Sequence, residues 1–220
     1  MDPKLFIRSL KLALKDPEIK NDFGSIVADQ LQILRMELKE KDETIRKLTS
    51  RVASLESQLE GQEQYSRRNC ITISGLKEQP EETIINKTLD LFNTRMALQP
   101  QISPEDIDRT HRIGKMDVNR GPRQVIVKFT SYRARERVVS ARTTLRSSTV
   151  QLQDALFINE ALTPQRSKIL YQLRKMKKDG EIKNVWTNDG TFVVIDNHNN
   201  KKSAKTLIEA DKLIKTLKPS

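Results

Sequence analysis

The chain has 220 residues, of which 31% are charged, 36% hydrophobic and 5% aromatic; this balance argues against one large enzyme core or an aromatic-lined pocket, and fits one or two small domains plus an elongated element. The formal net charge is +11 and unevenly placed: residues up to Gln64 carry 11 basic and 12 acidic side chains, those from Tyr65 onward 29 and 17. A neutral end beside a basic one predicts a polyanion-binding region carried on a separate element. Cys70 is the only cysteine, which excludes an internal disulfide and a thiolate metal site and fits a reducing compartment. No stretch approaches the roughly 20 apolar residues of a membrane span, so a soluble, intracellular protein without membrane partners is expected.

Residues 1–25 form a head. Its apolar run from Leu5 to Leu14 is interrupted by Arg8 and Lys11 and lacks a cleavage site, so it is not read as a signal sequence. The run ends near Asp16-Pro17, and Phe23-Gly24 marks a break; packing on the next element and fraying both remain open.

Residues 26–64 predict a parallel coiled coil. Leu31, Leu38, Ile45, Val52 and Leu59 take the a positions of a heptad repeat, and Val27, Leu34, Lys41, Leu48, Leu55 and Gln62 take d. A 3.5-residue period keeps this narrow seam facing a partner only if helices supercoil. Lys41 is a misfit at d that fixes register at a cost in stability. Branched residues at a with Leu at d lean towards dimers. Arg51-Val52-Ala53-Ser54-Leu55-Glu56 resembles a trimer-specifying pattern, with Arg51 at g and Glu56 at e placed to pair between helices, and a homotrimer is expected.

A polar junction follows from Gly61 to Asn69. Cys70–Gly75 alternates as a strand, Glu81-Glu82 open a helix to about Met96, and Asp106–Ile113 reads as a strand carrying Arg109 and Arg112. Gln124–Phe129 is the best strand, Tyr132–Arg142 a basic helix, and Val150–Ile158 one or two strands. Four strands and two helices in this order predict a ferredoxin-like sandwich over 65–160. In 161–220, Thr163-Pro164 caps a helix that Asp179-Gly180 ends. Val185–Val194 is a hairpin about an Asn-Asp-Gly turn, and Lys202–Leu217 is a closing basic helix. The fold class is therefore α+β: a parallel coiled coil, a sandwich domain and a small α/β C-terminal domain.

The coil, Arg67-Arg68-Asn69, the strand ending at Gly75, Asp108-Arg109-Thr110-His111-Arg112-Ile113-Gly114, Pro122-Arg123-Gln124-Val125-Ile126-Val127-Lys128-Phe129, Leu162-Thr163-Pro164-Gln165-Arg166 and the Trp186/Phe192 hairpin stand in a specific order. In this the chain resembles the first-open-reading-frame proteins of LINE-type retrotransposons, the transposase-22 family, over roughly residues 27–217. The resemblance implies a homotrimer whose RNA-recognition-motif domain and C-terminal domain bind single-stranded RNA, and single-stranded DNA as well. It implies a nucleic acid chaperone that coats the element's transcript during retrotransposition, in cytoplasmic ribonucleoprotein particles and the nucleus. It places Arg109, Arg112, Arg123 and Arg142 at family contact positions, with Arg120 in the neighbouring loop. On the C-terminal helix Arg166 and Arg174 share a face, with Lys168 and Tyr171 beside them as further RNA-binding candidates. Trp186 is read as packing in its hairpin.

The sequence departs from an ordinary RNA-recognition motif, which stacks bases on aromatics of its central strands. Ile71-Thr72-Ile73-Ser74-Gly75 has no aromatic, and the third strand keeps only Phe129. Backbone clamping by Arg and Lys is expected instead, with weak sequence specificity and steep salt dependence. His111 and His198 lack ligand partners at metal spacing, Glu105-Asp106-Ile107-Asp108 reads as a loop and cap, and no phosphate loop or nucleophile elbow occurs. No cofactor, no metal and no catalysis are expected. The competing classes are a coiled-coil adaptor docking an acidic protein and, more remotely, a nuclease at the acidic cluster.

Overall fold

A computed structural model describes residues 3–117, 121–147 and 155–217. It divides into two compact units, Met1–Glu56 and Ser57–Ser220.

The first unit is helical. Helix α1 spans Pro3–Ala13 and buries no side chain. Helix α2 runs from Pro17 to Ser66, with Pro17 at its first turn and the Asp16 carboxylate accepting the Glu18 N–H at 2.9 Å. The expected break at Phe23-Gly24 does not occur, and helix also replaces the polar junction as far as Ser66. A glycine inside a helix costs only about 1 kcal/mol relative to alanine, which the long neighbouring stretches of helix formers outweigh.

In the second unit, β1 (Cys70–Ser74), β2 (Ile107–Arg112), β3 (Val125–Phe129) and β4 (Phe157–Glu160) form an antiparallel sheet in the order β2-β3-β1-β4. Helix α3 (Ile84–Asp90), continued by a π-helical turn over Leu91–Arg95, lies between β1 and β2, and α4 (Tyr132–Ala141) follows β3. A four-residue helix, α5 (Thr144–Ser147), comes next. Strand alternation decides the core. Ile71, Ile73, Val125, Val127 and Phe129 point to one face, where Leu91, Phe92, Ala134 and Val138 cover them, and the Phe92 and Phe129 rings stack with centroids 5.9 Å apart. Of the predicted strands over 150–158, the first part lies outside the described residues.

The C-terminal part packs α6 (Pro164–Lys178) and α7 (Leu207–Leu217) against a three-stranded sheet of β5 (Asn184–Asn188), β6 (Thr191–Ile195) and β7 (Lys201–Ala204). Its core joins Ile169, Leu173 and Met176 to Phe192, Val194, Ala210 and Ile214. Asp189 and Gly190 both take positive φ, 48° and 77°, as a two-residue hairpin loop matching strand twist requires. The expected helix from Lys202 begins only at Leu207, because a turn held by Asp196, which accepts from the His198 and Asn200 N–H groups, redirects the chain into β7. Among the described residues no helix is long and apolar enough to cross a membrane.

Candidate nucleic-acid interface

Among the described residues, the face of the four-stranded sheet opposite its core carries mostly polar side chains. Antiparallel register puts Asn159, Thr72, Ile126 and His111 in one row across it, and Cys70, Lys128 and Arg109 in the next. At about 4.8 Å per strand the first row spans roughly 14 Å. Arg109 and His111 are exposed, Arg109 pairing through its backbone with Lys128. Lys128 meets Asp108 at 2.7 Å, and both are about two-fifths exposed; this pairing holds the Asp108 carboxyl below its ordinary range. Burial raises the Cys70 thiol, against the opposing pull of Lys128, Arg67 and Arg109 around it.

Phe157 sits at the edge of this face, opposite Ser74 and 52% exposed. It is an aromatic on the sheet that sequence reading missed: Phe157 lay inside the predicted strand, but only its register with Ser74 shows which face it takes. Phe129, by contrast, is 1% exposed in the core and offers no stacking surface.

Helix α6 brings the C-terminal cations to the same face. Arg174 donates from Nη2 to Asn159 Oδ1 at 3.4 Å, a long bond that places the guanidinium at the end of the first row. Lys168, Tyr171, Arg174, Lys175 and Lys178 are all exposed along one side of α6, Tyr171 at 71%, a spacing of three and four residues that keeps them adjacent.

Two predicted contacts lie elsewhere. Arg112 has a side chain 5% exposed. Its guanidinium donates to both Glu82 oxygens and to the Leu76, Lys77 and Arg123 carbonyls, so its charge is answered inside the fold. Glu82 therefore does not open α3 as expected; it precedes the helix, facing Arg112 and the Lys87 ammonium at 2.8 Å. Arg112 foremost, against the cost of burial, holds the Glu82 carboxyl down to about 2 from an ordinary 4.5. The folded value lies below the unfolded one, so this cluster stabilises the fold fully above pH about 4.5 and progressively less as pH falls towards 2. The stability gap between the native chain and Glu82→Gln is thus expected to be flat near neutrality and to close below pH 4.5 in acid denaturation curves.

Arg166 is the second. It does not track a strand with Arg174, because it is 5% exposed and turned towards the end of α2. Its Nε and Nη2 donate to the two oxygens of Glu60 at 2.7 and 3.0 Å, and Nη1 donates to the Gly190 carbonyl at 2.6 Å. Thr163 Oγ1 donates to Glu60 at 2.8 Å, and the Gln64 side chain accepts the Thr163 N–H at 3.0 Å. Burial raises the Glu60 carboxyl, but the Arg166 and Thr163 hydrogen bonds with the Arg166 charge bring it below its ordinary range. Gly190 faces Gln64 so closely that a Cβ there would stand 2.8 Å from Gln64 Cγ. Beside this clamp Arg135, 2% exposed, donates to Glu160 at 2.7 Å and meets Asp189 at 3.1 Å. Glu160 also accepts the Asp189 and Gly190 N–H groups. The sequence held no signal for these pairings, which join residues roughly a hundred or twenty-five positions apart.

Of the other predicted residues, Arg123 is 29% exposed and paired with Glu78, whose carboxyl this contact lowers. Arg142 is half-buried at the end of α4, and Arg120 lies outside the described residues. Trp186 is half-exposed on the face of its sheet away from the core, with the Lys201 ammonium 6.0 Å from its ring. A cleft of about 300 Å³ opens at the clamp, where Tyr65, Arg68, Tyr132 and Lys205 line it, and the Arg68 guanidinium lies 4.1 Å over the Tyr65 ring. Asp106 caps the turn before β2 through the Ser103 N–H and pairs with Arg137 at 3.1 Å. Among the described residues no three His, Cys, Asp or Glu side chains are placed to hold a metal.

The seam residues Leu31, Leu34, Leu38, Ile45, Leu48, Val52, Leu55 and Leu59 lie on α2 between 48% and 67% exposed in the single chain. Arg51 and Glu56 are exposed beside them. In comparisons with known proteins, no family model and no curated protein matches this chain.

Proposed function

We propose that the chain is a single-stranded RNA-binding and chaperone protein that works as a parallel homotrimer on a retrotransposon transcript. The observation that carries the reading is the basic sheet face, where Arg109, Lys128 and His111 continue into Arg174 and the exposed stripe of α6. A strand order of β2-β3-β1-β4 with a helix after β1 and another after β3 fits the ferredoxin-like sandwich of an RNA-recognition motif, whose uncovered face is where such domains take single strands. Resemblance to the LINE-type first-open-reading-frame proteins supports the same assignment. Phosphates lie against Arg109, Lys128 and Arg174, while Phe157 and Tyr171 supply planar surfaces to bases. Binding is therefore weakly sequence-specific, and counterion release drives much of it. The exposed seam of α2 is covered by two further copies, with Arg51 and Glu56 pairing between them.

Filter binding to single-stranded RNA across a salt series tests the reading. Arg109→Ala with Arg174→Ala is expected to weaken binding roughly ten- to hundredfold for all sequences alike and to flatten the salt dependence by about 1.4 in log–log slope. Micromolar or weaker binding by the native chain at low salt would sink it, and capture of an acidic protein that survives ribonuclease would favour the adaptor.

A further inference from the structure

Helix α1 has a division of surface that RNA binding does not use. At about 100° per residue, Lys4, Arg8 and Lys11 fall within a sector of roughly 60°, Lys15 follows in the turn after the helix, and no acidic residue stands between Lys4 and Lys15. Leu5, Phe6, Ile7, Leu10 and Leu12 occupy an arc of roughly 220° on the remaining surface, and Leu14 follows in the turn. These six side chains are between 49% and 66% exposed. Leu14, Lys15 and Asp16 then separate α1 from α2.

We propose that α1 lies flat in the headgroup region of an anionic lipid bilayer and attaches the chain to membrane surfaces, which replaces the expectation of no membrane partner, since that expectation rested on spanning segments alone. Two partners answer the cations, but only one also answers the apolar arc. An RNA backbone pairs with Arg8, Lys11 and Lys15 and leaves six large apolar side chains in water. A further copy in a coiled coil covers a seam of two residues in seven, far narrower than this arc. An anionic bilayer takes both: acyl chains receive the wide apolar arc, and lipid phosphates and carboxylates receive the cationic sector at the boundary. A helix of 11 residues is too short to span a bilayer, so it lies on the surface. The proposal does not depend on RNA binding, because none of the residues it uses belongs to the sheet face or to α6.

Co-sedimentation of the full chain, freed of RNA by ribonuclease, with sucrose-loaded vesicles tests it. The chain is expected to bind phosphatidylcholine vesicles containing about one-third phosphatidylserine, and to bind pure phosphatidylcholine at least tenfold less. Phe6→Ser with Leu10→Ser, and separately Arg8→Gln with Lys11→Gln, are each expected to lower partitioning roughly tenfold or more. Arg109→Gln with Arg174→Gln should leave it within about twofold, since two distant charges add little to a surface-bound helix. No side chain of α1 is buried, so these variants are expected to keep the fluorescence-monitored unfolding of the native chain. Binding that follows Arg109 and Arg174 while ignoring Phe6 and Leu10 overturns the proposal, as does equal binding to neutral vesicles. A change in oligomer mass on Phe6→Ser with Leu10→Ser, without loss of vesicle binding, overturns it in favour of a contact between copies.

Discussion

Replacing Glu60 by alanine is expected to destabilise the second unit by about 3–5 kcal/mol, because it leaves the Arg166 guanidinium buried with only the Gly190 carbonyl for company. The two side chains are 8% and 7% exposed and meet in a two-pronged ion pair, so water does not step in to replace the lost partner. For a unit of this size the loss corresponds to a fall of roughly 6–20 °C in melting temperature. Trp186, the only tryptophan, reports it by fluorescence. The mirror change, Arg166→Met, buries an unpaired carboxylate that keeps only the Thr163 hydroxyl and is expected to cost a similar amount. Glu60→Met combined with Arg166→Met should recover much of the loss, since removing a buried pair together is often neutral. A single-variant loss under about 1 kcal/mol would mean the pair is solvated. The same cycle separates stability from binding: Arg166 holds the end of α2 to the C-terminal part, whereas the proposed role of Arg109 is contact with RNA.

Ile45→Asp with Val52→Asp is expected to convert the proposed homotrimer to monomers at micromolar concentration. Each side chain is more than half exposed in the single chain, and covering such a side chain contributes about 1.5–3 kcal/mol, a gain multiplied by three copies. Aspartate there forfeits the gain and clusters like charges along the axis. Helix content should fall with it, because a long helix without tertiary support is marginal in water. Apparent RNA affinity should drop roughly a hundredfold or more as the three binding faces separate. Sedimentation equilibrium reads the first effect and far-ultraviolet circular dichroism the second. A native chain already monomeric at these concentrations would contradict the assembly.

Periodicity made the helix of α2, the strands around Val125–Phe129 and the Asn188–Thr191 turn legible, because each rests on local spacing of apolar residues or on residues suited to positive φ. Short-range signals failed where longer-range pairings decide. Gly24 and Gly61 read as breaks, yet the surrounding helix formers carry α2 through both. Lys202–Ala204 reads as the start of a basic helix, yet pairing with β6 makes it part of a strand. The site was legible in kind but only partly in its residues. Charge counting marked the basic half and the family resemblance marked Arg109 as a candidate, but neither distinguishes a cation facing solvent from one facing Glu82 or Glu60, which lie 30 and 106 residues from their partners. Phe157 was missed because no local pattern tells which face of a short edge strand turns outward until its register with Ser74 is known.

Native mass measurement of the full chain with and without a short single-stranded RNA, at low and at raised salt, tests the central claim most directly. The predicted result is three chain masses alone, a defined trimer–RNA complex at low salt, and loss of the RNA but not of the trimer as salt rises. A monomer, or a trimer that takes up no RNA at low salt, would contradict it.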